Sequence, residues 1–171
     1  MLMEPIKVLS SPDGSKHFIA VVKNASMTMR MVLADQYGWA YNQFDKCTPL
    51  PEGRYFSFIR NPLDRWVSGM VQDFGLENVE LGDPHTYLKA SSHTQPQHLY
   101  FEGVHPTLVR FDTFDKIWGY LDEPKNDFHF NEMPDVSSCR AMFAKLKAWG
   151  LANMAALREA YVIDFTLYEA Q

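Results

Sequence analysis

The sequence contains little cysteine and no cysteine-rich pattern. Among its 171 residues only Cys47 and Cys139 are cysteines, and neither stands at metal-ligand or redox spacing. Two reduced, partly buried thiols are the simplest interpretation, and a disulfide between them stays open. The six histidines are dispersed, with no pair at i, i+4 flanking a glutamate. We therefore expect neither a disulfide framework nor a bound metal.

The chain also lacks a long apolar run and an excess of positive charge. No stretch approaches the roughly 20 apolar residues that span a membrane, and residues 1–7 do not resemble a signal peptide. We therefore expect a soluble, cytoplasmic protein without a membrane span. The formal net charge of −5 argues against a nucleic-acid partner, which would need a basic surface. A few basic residues can still be concentrated in one cleft.

The apolar residues that are present suit one packed domain. Hydrophobic residues make up 46% of the chain and aromatic residues 14%, which is ample for an interior at this length. No repeat, low-complexity tract or linker interrupts the sequence. We therefore expect a single domain over residues 1–171.

Strand-like and helix-like hydrophobic patterns alternate along the chain. The predicted strands are Ile6–Leu9, Phe18–Val22, Tyr55–Ile59 and Thr107–Phe111, the first two joined as a hairpin by the turn Ser11–Gly14. The predicted helices are Met27–Tyr37, one that begins at Pro62, Phe114–Leu121, Cys139–Trp149 and Met154–Tyr168. This order predicts an α/β fold with a central, mainly parallel sheet flanked by helices in three layers.

The segment Lys23–Thr28 joins a predicted strand to a predicted helix, at the sheet edge where such folds collect ligands. Backbone N–H groups of a short loop before a helix converge on an anion. Ser26 and Thr28 would add hydroxyl donors, and Lys23 a mobile positive charge. The ordinary alternative is that Ser26 or Thr28 is only an N-cap and Lys23 a solvated strand end.

The segment Arg60–Ser68 follows the predicted strand Tyr55–Ile59. Asn61 supplies an N-cap, and Pro62 stands where the first helical residue tolerates a missing N–H. Ser68 falls on the polar side of this helix, where its hydroxyl can share one phosphate with the guanidinium of Arg60. A capped helix with a surface serine would explain Asn61 and Pro62, but not the arginine directly after a buried strand.

Together the two segments resemble the cofactor signatures of sulfotransferases that use 3′-phosphoadenosine 5′-phosphosulfate (PAPS). The segment Lys23-Asn24-Ala25-Ser26-Met27-Thr28 resembles the family's 5′-phosphosulfate loop, and Arg60 to Ser68 resembles its 3′-phosphate motif. The resemblance implies a P-loop-like fold and a sulfuryl transfer to an acceptor hydroxyl that needs no metal. It also implies that Lys23 and the loop bind the 5′ end, while Arg60 and Ser68 bind the 3′-phosphate.

A weaker resemblance concerns the acceptor and the general base. His93–Gln97 is similar to a His-x-x-Pro-Gln segment of carbohydrate-type members, which favours a glycan hydroxyl as acceptor and His93 as its base. His85 or a carboxylate is the alternative base, and a loop histidine with a structural hydrogen bond is the ordinary interpretation of His93. A lipid, a peptide tyrosine or a small metabolite remains an alternative acceptor. Three further segments resemble family segments: Val109–Asp112, in which Asp112 is expected to be structural, Phe128–Asn131 and Tyr161–Asp164.

Two other functions stay open at this point. Val22 stands where the family usually has proline, and Ala25 with Met27 leaves the loop without glycine, which otherwise admits the closest backbone approach to an anion. This favours a non-catalytic PAPS-binding or 3′,5′-ADP-binding protein with a degenerate fold. A small nucleotide kinase-like phosphotransferase is the other alternative, although it would have a glycine-rich loop with lysine near the loop's end.

Overall fold

The computed structural model describes residues 5–45, 48–74, 80–126 and 137–171. Its five strands are β1 (Ile6–Ser10), β2 (Lys16–Ile19), β3 (Ala40–Phe44), β4 (Arg54–Ile59) and β5 (Thr107–Arg110). They form one sheet in the order β3-β1-β2-β4-β5 within these ranges. The four strands expected from the sequence are therefore present, and β3 is an addition.

The sheet is mixed, so the prediction of a mainly parallel sheet is wrong. Strand β1 pairs antiparallel with both β2 and β3, whereas β2 with β4 and β4 with β5 pair in parallel. The β1–β2 hairpin follows from the predicted turn, in which hydrogen bonds from Ser11 and Ser15 lower the pKa of Asp13 to about 2. Strand β3 escaped prediction because it is a mostly exposed edge strand without an apolar run.

Helices precede and follow the parallel strands. They are α1 (Ser26–Met29), which continues as a π-helical stretch (Arg30–Gln36), α2 (Pro62–Phe74), α3 (Pro84–Tyr87), α4 (Lys116–Leu121), α5 (Ser137–Ala152), α6 (Met154–Ala160) and α7 (Val162–Glu169). Two 3₁₀ turns cover Gln97–Phe101 and Phe111–Thr113. Across the described ranges, no helix has the length and apolar character required to span a bilayer.

One predicted helix is interrupted. The segment Met154–Tyr168 forms two helices, α6 and α7, which meet at Tyr161. The phenol of Tyr161 is buried, donates a hydrogen bond to the Thr94 carbonyl (2.6 Å) and accepts one from the Lys89 N–H (3.1 Å). These tertiary contacts coincide with the break between the two helices. The helical periodicity of the sequence does not predict them.

Side chains alternate between the two faces of the sheet along β2 and β4, as strand geometry requires. Phe18, Phe56 and Phe58 belong to a cluster that includes residues of α1, the π-helical stretch and α4. Ile19 and Ile59 belong to a cluster on the opposite face, with residues of the first 3₁₀ turn and of α7. Helices α2, α5, α6 and α7 share a third cluster. The sheet therefore has helical elements packed against both faces.

Phe58 on β4 is the residue on which we test this core. Its side chain has no exposed surface, and its ring contacts those of Phe18, Phe111 and Phe114 at centroid distances of 5.5, 5.9 and 4.7 Å. We expect Phe58→Ala to lower the free energy of unfolding by about 3–5 kcal/mol, because it removes buried surface and leaves a cavity. Urea denaturation measures this change.

The control for Phe58→Ala is Leu151→Ala, at a side chain that is 56% exposed. We expect this surface substitution to change the free energy of unfolding by no more than about 0.5 kcal/mol. Equal losses in the two variants would contradict the placement of Phe58 in the core.

Candidate functional site

The two segments singled out in the sequence lie side by side. Strands β2 and β4 are parallel neighbours, so their carboxyl ends reach the same edge of the sheet. Lys23 lies in the short loop after β2, and Arg60 directly follows β4. The Arg60 guanidinium donates a hydrogen bond from Nη1 to the Lys23 carbonyl at 3.0 Å. The structure thus brings the predicted lysine and arginine into direct contact.

The loop after β2 bends without glycine. Lys23 and Ala25 have φ values of 68° and 54°, a left-handed conformation that residues with a Cβ seldom adopt. Left-handed residues in tight turns bring backbone N–H groups together into anion-binding concavities. Ala25 is the N-cap of α1, so neither Ser26 nor Thr28 has the capping role that was the ordinary alternative.

The other predicted loop residues differ in how accessible they are. Ser26 is half-buried and Met27 is 41% exposed, whereas Thr28 is only 2% exposed and lies on the buried side of α1. Asn24 is buried beneath the loop. Ser26 is therefore the better placed of the two predicted hydroxyl donors.

Asn24 and Gln97 tie the loop to β4. Asn24 Nδ2 donates to the Phe58 carbonyl (3.0 Å) and to Gln97 Oε1 (2.6 Å). Gln97 also accepts the Arg60 N–H at 2.9 Å and donates to the Arg60 carbonyl at 2.8 Å. The primary amide of Gln97 therefore satisfies both backbone groups of Arg60, as a neighbouring strand does for residues inside the sheet. Its position in the segment similar to His-x-x-Pro-Gln was the only signal for it in the sequence.

Arg65 is a buried cation that joins two loops. From α2 it donates from Nε to the Val22 carbonyl at 3.1 Å and from Nη1 to the Gln95 carbonyl. Burial lowers the pKa of its guanidinium, with the surrounding Tyr100, Asp164 and Tyr161 acting in the opposite direction. The sequence indicated Arg65 only as a member of the 3′-phosphate motif and not as a connection between loops.

Three cations are thus concentrated at one edge of the sheet. Burial lowers the pKa of Lys23, and the charges of Arg60 and Arg65 lower it further while Asp73 opposes them. Burial also lowers the pKa of Arg60, whose guanidinium lies 4.9 Å from the ring centroid of Phe111. Burial is the largest cause of each shift, and repulsion from neighbouring cations adds to it for Lys23 and Arg60, so a bound anion would offset that repulsion.

Two buried polar atoms at this edge have unused hydrogen-bonding capacity. Asn24 Oδ1 and Arg65 Nη2 have no hydrogen-bond partner among the described residues. Buried polar atoms in native proteins are normally satisfied by protein, water or ligand. Arg65 Nη2 is a donor and fits a negatively charged group, whereas Asn24 Oδ1 is an acceptor and needs a donor such as water.

Helix α2 faces Lys23 with the side that carries Ser68. Lys23 Nζ donates to Gln72 Oε1 at 2.7 Å, and Gln72 lies four residues after Ser68 in the same helix. Residues at i and i+4 share a helix face, so the half-buried Ser68 also lies on the side towards the loop. Asn61 Oδ1 accepts the Leu63 N–H at 3.0 Å, which confirms the predicted N-cap of this helix.

His93 lies next to the carboxyl-terminal turns of α2. Its Nδ1 is 2.5 Å from Asp73 Oδ1, and the side chains of His93 and Asp73 are 26% and 20% exposed. Gly69 permits this approach, because a Cβ on that residue would lie 2.5 Å from the His93 carbonyl oxygen. His93 is therefore close to the lysine side of the site. Asp73 had no signal in the sequence.

The alternative base His85 and the nearby His98, which was not a candidate, have other surroundings. His85 is exposed on α3, where Asp83 Oδ1 accepts its N–H as an N-cap (3.0 Å). His98 Nδ1 is 2.8 Å from the buried Asp164, whose carboxylate also accepts the N–H groups of Gln97 (2.6 Å) and His98 (2.9 Å). Asp164 therefore holds the start of the first 3₁₀ turn. The segments His93–Gln97 and Tyr161–Asp164, both predicted from the resemblance, contact each other.

The two other segments that resemble family segments lie after the start of β5. Asp112 accepts a hydrogen bond from Arg110 Nε at 3.0 Å beyond the end of β5, in agreement with the structural role expected for it. The segment Phe128–Asn131 lies outside the described residues. In the part of the chain that is described, no three His, Cys, Asp or Glu side chains are grouped as a metal site.

Comparison of the chain with protein-family models, with curated proteins and with solved structures found no match. A function for the protein is therefore inferred from its own residues and their geometry. At this sheet edge Arg60 contacts the Lys23 loop, and Arg65 bonds the Val22 carbonyl just before it.

Arg65 is the residue through which we test the connection between the loops. Lysine keeps the charge of Arg65 but cannot donate from two nitrogens to both the Val22 and Gln95 carbonyls. We expect Arg65→Lys to lower the free energy of unfolding by on the order of 3 kcal/mol, because a buried carbonyl loses its donor. Urea denaturation followed by circular dichroism measures the loss.

Arg158→Lys is the matched control for Arg65→Lys, since Arg158 pairs with Glu169 at the surface with both side chains 55% exposed. We expect a change of less than about 1 kcal/mol there. A stable Arg65→Lys variant would show that the two loops do not depend on this guanidinium.

Proposed function

We propose that the protein is a sulfotransferase that binds PAPS and transfers its sulfuryl group to an acceptor hydroxyl, with a glycan as the favoured acceptor. The observation that carries the proposal is the hydrogen bond from Arg60 to the Lys23 carbonyl. It joins the two segments that resemble the 5′-phosphosulfate loop and the 3′-phosphate motif. A nucleotide phosphorylated at both ends needs such a pair of adjacent anion sites.

The fit of this ligand is supported by charge. PAPS carries a 3′-phosphate and a 5′-phosphosulfate, and three partly or fully buried cations lie where the two predicted subsites meet. The proposal also includes a P-loop-like fold. It is supported by the helical elements on both faces of the sheet and by a loop that leads from a strand into a helix.

In this function each residue has a definite task. Lys23 neutralises the charge that develops on the departing phosphate oxygen, and the loop N–H groups with Ser26 hold the sulfuryl oxygens. Arg60 and Ser68 bind the 3′-phosphate, and His93 accepts the proton of the acceptor hydroxyl. PAPS itself supplies an activated sulfuryl group. The protein contributes position and electrostatic stabilisation, as in phosphoryl transfer.

A binding experiment distinguishes this function from its alternatives. The protein is titrated with 3′,5′-ADP, with 5′-AMP and with ATP plus Mg²⁺, and transfer from radiolabelled PAPS to a panel of glycan, lipid and phenol acceptors is measured. A ligand at about 100 times its dissociation constant stabilises the fold by about 2.7 kcal/mol. Binding of 3′,5′-ADP without transfer would indicate the non-catalytic alternative. Preference for ATP with Mg²⁺ would indicate a phosphotransferase.

Arg60→Ala tests the 3′-phosphate subsite. We expect the affinity for 3′,5′-ADP to fall about 10- to 100-fold, since a charge-assisted hydrogen bond contributes about 1.5–3 kcal/mol. The affinity for 5′-AMP, which has no 3′-phosphate, should fall less, because Asn24 still bonds the Lys23 loop to the Phe58 carbonyl when the Arg60 contact is lost. Isothermal titration calorimetry measures both. Arg54→Ala, at the opposite end of the same strand, is the control and should bind both nucleotides like the wild type.

Lys23→Ala tests the role of the lysine in the transfer step. Loss of one preorganised donor to a developing charge lowers kcat by about 100-fold or more, while the affinity for 3′,5′-ADP should change by less than about tenfold. Lys16→Ala, at the start of β2, is the matched control and should keep its turnover. An unchanged kcat in Lys23→Ala would show that the lysine takes no part in the transfer step.

A further inference from the structure

Asp73 and His93 form a hydrogen-bonded pair that no sequence motif predicted. His93 Nδ1 and Asp73 Oδ1 are 2.5 Å apart beside the last turns of α2, and both side chains keep some access to solvent. The other carboxylate oxygen of Asp73 accepts a hydrogen bond from Ser91 Oγ. Ser91 Oγ in turn accepts the His93 N–H at 3.1 Å. Both oxygens of Asp73 are therefore engaged by the loop that carries His93.

Helix α2 connects this pair to Lys23. Gln72 and Asp73 are consecutive in its last turns, and Gln72 Oε1 accepts the hydrogen bond from Lys23 Nζ. The carboxylate of Asp73 is also close enough to raise the pKa of Lys23, against the effect of burial and of Arg60. One turn of helix thus places the imidazole and the lysine relative to each other.

The backbone fixes the same arrangement independently of the carboxylate. The absent side chain of Gly69 leaves room for the His93 carbonyl against α2, where any Cβ would lie 2.5 Å from its oxygen. Beyond His93, the Gln95 carbonyl is held by Arg65 from the same helix. The histidine loop is therefore attached to α2 beyond the imidazole as well as through Asp73, and the Asp73 contact sets the orientation of the ring.

We propose that Asp73 is a positioning residue that holds His93 in the tautomer with the proton on Nδ1 and a lone pair on Nε2. This inference depends on the proposed function, because it gives the imidazole its task there. A carboxylate that accepts from Nδ1–H leaves Nε2 as the acceptor, which is the form that a general base needs.

The proton and the electrons of the transfer are then accounted for. His93 Nε2 takes the proton of the acceptor hydroxyl as the acceptor oxygen forms its bond to sulfur. The bond between sulfur and the 5′-phosphate oxygen breaks, and its electron pair leaves on that oxygen, next to Lys23. The Asp73 carboxylate stabilises the imidazolium that forms. No oxidant, reductant or metal enters the balance.

The tautomer is measured without substrate by long-range ¹H–¹⁵N correlation spectra of the imidazole nitrogens, at a pH where histidine side chains are neutral. The His93→Gln variant assigns the His93 signals. We expect the wild type to carry its proton on Nδ1, and Asp73→Ala to shift it towards Nε2, the form that a free neutral imidazole side chain prefers. Asp73→Glu keeps a carboxylate acceptor and should restore the Nδ1–H form. Asp35→Ala, at an exposed aspartate, should leave the spectrum unchanged.

Turnover provides the second measurement. We expect Asp73→Ala to lower kcat by about tenfold or more, with KM for donor and acceptor within about threefold of wild type. Asp73→Glu should recover most of kcat, and thermal melts check that the variants are folded. A proton on Nε2 of wild-type His93, an unchanged tautomer in Asp73→Ala, or an effect on KM alone would overturn the proposal.

The two proposals fail in different ways. A wild type with Nδ1–H on His93 that neither binds 3′,5′-ADP nor transfers sulfate would overturn the sulfotransferase function, and with it the task of the pair, while the orientation of His93 would stand. If the protein binds 3′,5′-ADP and transfers sulfate, but the His93 tautomer is the same in the wild type and in Asp73→Ala, only the role of Asp73 is overturned.

Discussion

The hydrogen bond between the Arg60 guanidinium and the Lys23 carbonyl joins the ends of two parallel strands, and the rest of the site is arranged around it. Sheet pairing brings β2 and β4 together, but it stops before either residue is reached. Beyond that point Gln97 connects the two segments, because its amide forms hydrogen bonds with both backbone groups of Arg60 and with the side chain of Asn24. Side-chain contacts, rather than sheet pairing, therefore join the loop to the strand end.

Local patterns in the sequence predicted the elements that local physics controls. The Asn61 cap, the β1–β2 turn, the buried strand at residues 55–59 and the strand at residues 107–110 depend on residues close together in the chain. The placement of Lys23 and Arg60 at one sheet edge was predicted because each directly follows a predicted strand, and ligands collect at the carboxyl ends of such strands. Strand β3 did not follow, since an exposed edge strand such as Ala40–Phe44 has no apolar periodicity to read.

The parts of the site that escaped prediction are all long-range pairings. Asp73 contacts a histidine twenty residues further along the chain, and Gln97 contacts Asn24 across seventy-three. An aspartate in the last turns of a helix, or a buried arginine such as Arg65, has the same appearance in the sequence whatever it contacts. Only the folded arrangement separates Asp73 from the other acidic residues. The split at Tyr161 has the same origin, because its phenol binds backbone groups of the loop between α3 and the first 3₁₀ turn.

The left-handed conformations of Lys23 and Ala25 have a consequence for recognition. Each costs about 1–2 kcal/mol relative to an ordinary backbone conformation, so contacts elsewhere in the fold must hold the loop in its bent shape. Asn24 and the Arg60 guanidinium supply such contacts. A loop that is already held in one conformation loses little conformational entropy when it binds a ligand. Preorganisation of this kind replaces the flexibility that glycine would have contributed.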